Sequence, residues 1–377
     1  MMQTIVLPPV AQSFKTPWVE VDLGLLEQNI SKMKASLNHT TSVIFVVKSN
    51  AYGHGLVPIA KSAVHAGIDW LGVAYLEEAL ELRQSLPQHV HLLVLGAVDA
   101  ANTPILLDHR IIPVVVSKSH GLDFSHNAVR FDQSLPVHLK IDTGMGRFGI
   151  PWEDANHTLS GLLKDPGLKI QGICTHFSSV EPNHPKEAHE QVKRMSQIGA
   201  FSKGHLLRHV SNSRAFLNYP QWDFDAVRTG MALYGYGANE AERIQTQPIL
   251  QWKTHVIQVK SVPANFPVGY YASYRTDTPT DIATVSVGYA DGFPRLLGNR
   301  GHVLIRGQRC KVIGRVSMNW ITVDVGHESG VDAGEEVVLI GKQGSASIWA
   351  DEIAKKADTI PYEILTRIHP HAPRIYI

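Results

Sequence analysis

Cysteine is scarce in this chain: Cys174 and Cys310 are the only two among 377 residues, too few for a disulfide framework and suited to a reducing compartment. Uninterrupted apolar runs of about 18 residues, the length that crosses a bilayer, are missing. The first ten residues carry no basic segment, and Pro8 and Pro9 break their short apolar run. No signal peptide is expected, and the cytoplasm is the expected location. Charge of one sign is not in excess either, since 35 Lys and Arg face 34 Asp and Glu for a formal +1. That balance argues against nucleic-acid and membrane-surface partners. Repeats and low-complexity segments are absent. What is present is ordinary for a folded globular chain, with 44% hydrophobic and 18% charged residues. The length exceeds what one core usually organises, so two domains are expected.

Short apolar, β-branched runs recur at 43–48, 69–74, 91–95, 112–116, 136–142, 170–176, 205–210 and 226–230. The stretches between them have room for helices, and Leu25–Lys34 and Glu77–Arg83 read as amphipathic. Eight strands alternating with helices predict an α/β fold, a parallel (β/α)8 barrel over residues 1–244. After about residue 245 the strands follow one another without helices: Trp252–Val259, Ile282–Val287, His302–Ile305, Trp320–Val325 and Glu336–Ile340. Residues 245–377 therefore read as a small, mainly-β domain. A further run, Trp18–Asp22, fits either domain, so residues 1–22 are candidates to pair with the second.

In a (β/α)8 barrel, polar residues at the C-terminal strand ends collect on one rim. Lys48 ends the first strand, Arg147 follows the fifth in Asp142-Thr-Gly-Met-Gly-Arg147, and His176 closes the sixth. Ser211-Asn212-Ser213 follows the seventh, and Arg228-Thr-Gly230-Met231 closes the eighth. Singly, each is unremarkable: a lysine at a strand end is ordinarily a solvated cation, and Asp-Thr-Gly is ordinarily a turn. Together they place a lysine beside an arginine and a glycine-containing phosphate cradle. That combination suits Schiff-base chemistry on pyridoxal phosphate, with no metal required.

The motif Phe45-Val-Val-Lys48-Ser-Asn-Ala-Tyr52-Gly-His-Gly55 resembles the cofactor-attachment motif of alanine racemases. The resemblance continues through Lys140-Ile-Asp-Thr-Gly-Met-Gly-Arg147, Thr175-His176-Phe, Ser211-Asn-Ser213, Val227-Arg228-Thr-Gly-Met231, Val268-Gly-Tyr270, Val287-Gly-Tyr289 and Gly314-Arg-Val-Ser-Met318. It implies a barrel, a C-terminal β domain, lysine-bound pyridoxal phosphate and an amino-acid substrate. Inversion at a stereocentre needs a proton-transfer group on each face of the reacting carbon. The resemblance assigns one face to Lys48 and the other to Tyr270, with His176 as partner of the phenol and Arg228 behind it. Arg228 is also expected to face the pyridine nitrogen and leave it unprotonated, because its own pKa lies above about 12. Fold relatives that decarboxylate amino acids place an acidic residue there, which disfavours that class.

The resemblance further places Arg147, Met318 and Tyr289 at the substrate, and Tyr52, Asn212, Ser213, Gly230 and Met231 at the cofactor phosphate. Lys140 matches a family lysine that is carbamylated to support Arg147. Tyr270, Tyr289 and Met318 come from the second subunit of a head-to-tail homodimer in that family, so each active site is expected to be shared. Two positions depart from the commonest pattern. Asn319 stands where aspartate is frequent, and Pro370 stands where many members place a tyrosine. Loss of a bulky phenol widens a pocket, so a serine-preferring or broader racemase is the alternative. A single-barrel cofactor carrier would lack the second domain and Tyr270.

Overall fold

The computed structural model describes residues 16–181, 186–203, 205–237 and 243–377. The chain divides into two compact units: Leu23–Ile249, and the described residues before Leu23 together with Leu250–Ile377.

The first unit is the expected parallel barrel. Its strands are β1 (Ser42–Val46), β2 (Trp70–Val73), β3 (His91–Val94), β4 (Ile111–Val115), β5 (Leu135–Asp142), β6 (Leu168–Cys174), β7 (Leu207–His209) and β8 (Ala226–Thr229). Each is hydrogen-bonded in parallel to the next through β7, and β8 pairs back with β1, Ala226 opposite Ser42 and Thr229 opposite Phe45. The seam between the three-residue β7 and β8 has no regular ladder. Backbone bonds from Asp225 N–H to Arg208 O (3.1 Å) and Arg228 N–H to Ser211 O (2.9 Å) close it instead. Arg208 reinforces the seam with a two-pronged bond to the Asp225 carboxylate at 2.7 and 2.9 Å.

Helices such as Leu56–His65, Leu76–Ser85 and Trp152–Leu162 connect the strands in the βα alternation of a parallel sheet. Ile44, Leu93, Ile112, Val114 and Ala226 form one buried cluster. They come from β1, β3, β4 and β8, and because β1 and β4 are not neighbours, their side chains meet only in the lumen. Each such burial contributes roughly 1.5–3 kcal/mol. Part of the lumen is polar: His138 on β5 is fully buried, and β6 makes room for it with Gly172, where a Cβ would lie 2.6–2.7 Å from the imidazole.

In the second unit six strands close on themselves, all antiparallel. They run in the order Leu250–Val262, Thr280–Val285, Ile321–Gly326, Gln308–Ile313, His302–Ile305 and Glu336–Gln343, with the last pairing back onto the first. Trp18–Val21, which the sequence left between the two domains, adds to the outer edge of Leu250–Val262, and Arg374–Tyr376 pairs with it in parallel. Residues 1–15 of the N-terminal segment lie outside the described residues. Up to Ile348 the strands of this unit are interrupted only by single 3-10 turns at Tyr270–Ala272, Tyr289–Asp291 and Arg295–Leu297; after it Ala350–Lys356 and Pro361–Thr366 are α-helical, against the expectation of strands without helices. Pro361 at the first helical position and the acidic first turn of Ala350–Lys356 are the local signals for them. Among the described residues no helix is long and apolar enough to cross a membrane.

Candidate active site

Strand β1 ends at Val46, two residues before Lys48. From there the chain makes a left-handed turn: Ser49, Asn50, Ala51 and Tyr52 have φ of 55°, 54°, 51° and 54°, and Gly53 and Gly55 follow at 84° and 106°. Each non-glycine residue in that region costs roughly 1–2 kcal/mol, so neighbouring groups must hold the turn. Backbone bonds from Ala51 N–H to Val47 O (2.8 Å) and Gly55 N–H to Asn50 O (2.9 Å) close it. Glu78 clamps it from outside, accepting from Ser49 N–H at 2.5 Å with one oxygen and from Ala74 N–H at 2.8 Å with the other. Burial lowers the Lys48 amine below the usual lysine range, and Arg147 lowers it further against the opposing pull of Glu78. A less basic amine is the nucleophile that imine chemistry requires.

Arg147 emerges from a loop ordered by Asp142, whose carboxylate accepts the amides of Gly144 (2.9 Å), Met145 (2.9 Å) and Gly146 (3.0 Å). The Phe148 ring lies between two cations, with the Arg147 guanidinium 5.4 Å and Lys140 Nζ 5.8 Å from its centroid. Lys140, on β5, is buried and pushed down to about 8, first by desolvation and then by Arg228 and Arg147 against the opposing Cys174. Its amine therefore exchanges its proton close to neutrality.

Arg228 is buried on β8 and donates to the carbonyls of His209, Thr175 (2.7 Å) and Val210 (3.0 Å). It also donates to two imidazoles, His209 Nδ1 at 3.0 Å and His176 Nδ1 at 3.5 Å. An arginine only donates, so its contacts set the tautomers behind it. His209 carries its hydrogen on Nε2 and donates to His138 Nδ1 at 2.9 Å. His138 in turn carries its hydrogen on Nε2, a buried atom with no acceptor among the described residues. His176 likewise keeps its hydrogen on Nε2, on the side away from Arg228.

All three histidines are neutral. Burial pushes His138 down to about 3, with His91 and Arg228 adding repulsion; His176 and His209 lie well below the usual range through burial first and Arg228 second. The unfolded chain takes up these protons from about pH 6.5 downward, whereas the native barrel does not. The His138 contribution to stability is thus complete above about pH 6.5 and is lost as pH falls toward about 3. Urea midpoints are expected to decline below that threshold, less steeply in His138→Gln. An identical acid slope in that variant would contradict the assignment.

Residues 212–231 line a separate corner of the rim. Asn212 caps the helix Ser213–Asn218 through a bond from Ala215 N–H at 3.0 Å. Ser213 Oγ accepts the amide of Gly230 at 2.9 Å and that of Ala232 at 3.4 Å. A Cβ on Gly230 would lie 2.9 Å from Tyr52 Oη, so glycine lets the phenol reach this corner. Hydroxyls of Tyr52 and Ser213 beside a helix start, whose first amides have no intrahelical acceptor, fit a phosphate group. Among the described residues neither Lys48, Lys140, Arg147 nor Arg228 forms an ion pair, leaving the rim electropositive and suited to phosphate and carboxylate anions.

Tyr270, Tyr289 and Met318 belong to the second unit and gather there. Gly288 packs on Met318 so closely that a Cβ would lie 2.2 Å from its carbonyl oxygen, and Tyr289 N–H bonds Ser317 O at 3.0 Å. Gly269, preceding Tyr270, abuts Gly314 and Arg315 in the same way. The segment holding Pro370 joins them through His369 N–H to Asp291 O at 3.1 Å. Within their own chain Tyr270, Tyr289 and Met318 are 65%, 43% and 55% exposed, beside exposed Tyr271 and Trp320.

Four residues of the barrel site escaped the sequence reading: Glu78, His138, His209 and Gln191. Glu78 had a signal, as the third residue of a helix beginning at Leu76. His138 sits two residues before Lys140 on the same face of β5. The other two carry no local mark.

A barrel rim with a weakly basic lysine, a fixed buried arginine and a hydroxyl-lined anion corner defines the class, a pyridoxal-phosphate enzyme acting on amino acids. Models of the alanine racemase N-terminal and C-terminal domains match residues 21–238 and 249–376. The chain is 38% identical over 365 residues to alanine racemase of Halothermothrix orenii, covering 95% of this chain and 96% of that one. Its fold superposes with TM-score 0.88 on the Bacillus anthracis alanine racemase with bound L-Ala-P, at 33% identity, covering 97% and 96% of the two chains. The Bartonella henselae alanine racemase with covalently bound pyridoxal phosphate gives TM-score 0.86 at 29% identity, covering 96% and 100%. The chain belongs to the alanine racemase family.

Proposed function

We propose that this chain interconverts L- and D-alanine with pyridoxal phosphate, in the cytoplasm, as a homodimer whose subunits share active sites. The observation that carries the reading is the end-to-end likeness to alanine racemases, joined to a rim whose four basic side chains form no ion pair among the described residues. When bound, pyridoxal phosphate acidifies the amino acid's Cα–H by drawing electron density into its ring. Lys48 would hold it covalently, Tyr52, Ser213, Asn212, Gly230 and Met231 its phosphate, and Arg228 its ring nitrogen. Arg147 would grip the substrate carboxylate with its fork.

Lys48 Nζ moves the proton on one face of Cα. On the other face the proton is moved by Tyr270 of the partner subunit, whose phenolate receives the His176 Nε2–H. That direction agrees with the tautomer Arg228 imposes on His176. The exposure of Tyr270, Tyr289 and Met318 supports their use by a second copy. Free, buried Cys174 and Cys310 suit a reducing compartment.

The deciding assay is enantiomer interconversion with alanine, serine, lysine and arginine, with α-hydrogen exchange followed alongside. Alanine is expected to be fastest. No exchange with any of the four by cofactor-loaded dimer overturns the reading, and serine outrunning alanine favours the alternative raised by Asn319 and Pro370.

Lys140 is part of the same proposal. A buried amine titrating at about 8 beside two guanidiniums is partly unprotonated at neutral pH and open to CO2. The resulting carbamate supplies the negative charge that Arg147 and Arg228 otherwise lack. Protein equilibrated with 13C-bicarbonate is expected to show one carbamate carbon resonance, lost in Lys140→Arg; its absence from wild type would refute the assignment.

A further inference from the structure

The helix Lys186–Ser196 turns three residues inward, Ala188, Gln191 and Met195, at the spacing of a core-facing stripe. The middle one is a glutamine only 2% exposed. Burying an amide is unfavourable by roughly 1–3 kcal/mol unless its bonds are made, and here every one is. Nε2 donates to Thr143 Oγ1 at 3.1 Å and to the His176 carbonyl at 3.0 Å. Oε1 accepts from Ser178 N–H at 2.9 Å and from Ser178 Oγ at 3.1 Å. The partners dictate the amide's orientation, because the Ser178 N–H only donates and the His176 carbonyl only accepts.

The bonds beyond it are equally directional. Thr175 Oγ1 donates to Ile141 O at 2.9 Å, so it must accept from Thr143 Oγ1, 2.7 Å away, which in turn accepts from Gln191. A single chain of hydrogen bonds therefore runs from the outer helix through the loops after β5 and β6 to the residue following Lys140. The Thr175 carbonyl also accepts Arg228 Nη2 at 2.7 Å. Three residues on from Gln191, Arg194 donates to the Thr143 carbonyl at 2.7 Å. Among the described residues the His176 ring makes one hydrogen bond, the 3.5 Å bond with Arg228, so its alignment depends on how firmly its backbone is held.

We propose that Gln191 is a positioning residue for racemisation: by clamping the backbone of His176 and Ser178 to Thr143, it aligns the His176 imidazole toward the phenol it serves. This rests on the roles proposed above for His176 and Tyr270. All four bonds of the Gln191 amide go to protein groups, so its part is to hold His176 rather than to act on substrate or cofactor. Misplacement by about 1 Å of a group that acts on a reacting proton can lower turnover by about 100-fold, whereas the residues proposed for the carboxylate and phosphate make no bond to Gln191.

The test uses the cofactor-loaded enzyme and Gln191→Met, which keeps volume and removes all four bonds. kcat is expected to fall by about 10- to 100-fold with KM for alanine unchanged. Deuterium isotope effects on the two enantiomers labelled at Cα should diverge. The effect should grow for the enantiomer whose deuteron leaves by the Tyr270 face and shrink for the other, because only one of the two proton transfers has slowed. Thr143→Val removes the same bond from its far side and should reproduce the pattern should Gln191→Met not fold; Thr143→Ser should restore wild-type values. Unchanged kcat in both disruptive variants, or isotope effects moving together in the two directions, overturns the proposal. Tyr270→Phe run in parallel separates the failures. If it is inactive while Gln191→Met is normal, only the positioning role is wrong; if it keeps turnover, the two-base reading falls and this inference with it.

Discussion

Lys48→Ala is expected to lower kcat by about 10,000-fold or more and to abolish the yellow, lysine-bound state of the cofactor. Both losses come from one atom, because the same Nζ is proposed to hold the cofactor and to move the proton on one face of Cα. Burial and Arg147 weaken its basicity, the direction that favours its use as a proton-transfer group. Lys48→Arg should be nearly as damaging despite keeping the charge, since a guanidinium does not give up its proton. Glu78 and the backbone bonds hold the left-handed turn independently of the Lys48 side chain, so the cofactor-free alanine variant should unfold at the temperature of the cofactor-free wild type. Small primary amines should partly restore exchange at that face. A Lys48→Ala enzyme retaining more than about a hundredth of wild-type turnover would remove Lys48 from both roles.

Tyr270→Phe should cost about 1,000-fold in racemisation while leaving the cofactor bound and yellow. The ring is 65% exposed in its own chain, so removing one oxygen leaves the folding of that chain unaffected. What disappears is proton transfer on a single face. One enantiomer of alanine should therefore still exchange its α-hydrogen with solvent, through Lys48, without inverting. That combination separates a lost base from a damaged pocket, which would slow exchange of both enantiomers equally. Wild-type racemisation in this variant would overturn the two-base reading. Mixing Tyr270→Phe with Lys48→Ala should regenerate some activity, because a shared site assembled from one mutant of each kind contains either both defects or neither.

The strands of the barrel were legible because a parallel sheet buries both faces, so each strand is a continuous apolar run: 91–95 and 112–116 in the sequence became His91–Val94 and Ile111–Val115. Gln308–Ile313 went unread since its polar, exposed Gln308, Arg309 and Lys311 dilute the pattern. Trp18–Val21 had the composition of a strand but no local sign of its partner, which lies more than two hundred residues on in Leu250–Val262. The left-handed turn after Lys48 was equally hidden. Glycines at 53 and 55 announce a turn, but Ser49, Ala51 and Tyr52 do not prefer positive φ, and only tertiary clamps such as Glu78 keep them there.

By itself the sequence determined the alternation of strands and helices in the barrel, its (β/α)8 class, and the lysine, arginines and histidine placed at strand ends. Those are properties of local runs and of a spacing that the parallel sheet converts into one rim. Only the tertiary structure decided which atoms those residues share. The neutral state of His176, the tautomers of His209 and His138 behind Arg228, the lowered affinity of Lys140 for its proton, and the amide of Gln191 locked between two loops all arise from burial and from hydrogen bonds across the closed barrel. Such contacts exist only once the β7 and β8 seam has shut and water has been excluded, since desolvation, not residue type, is the largest cause of each shift.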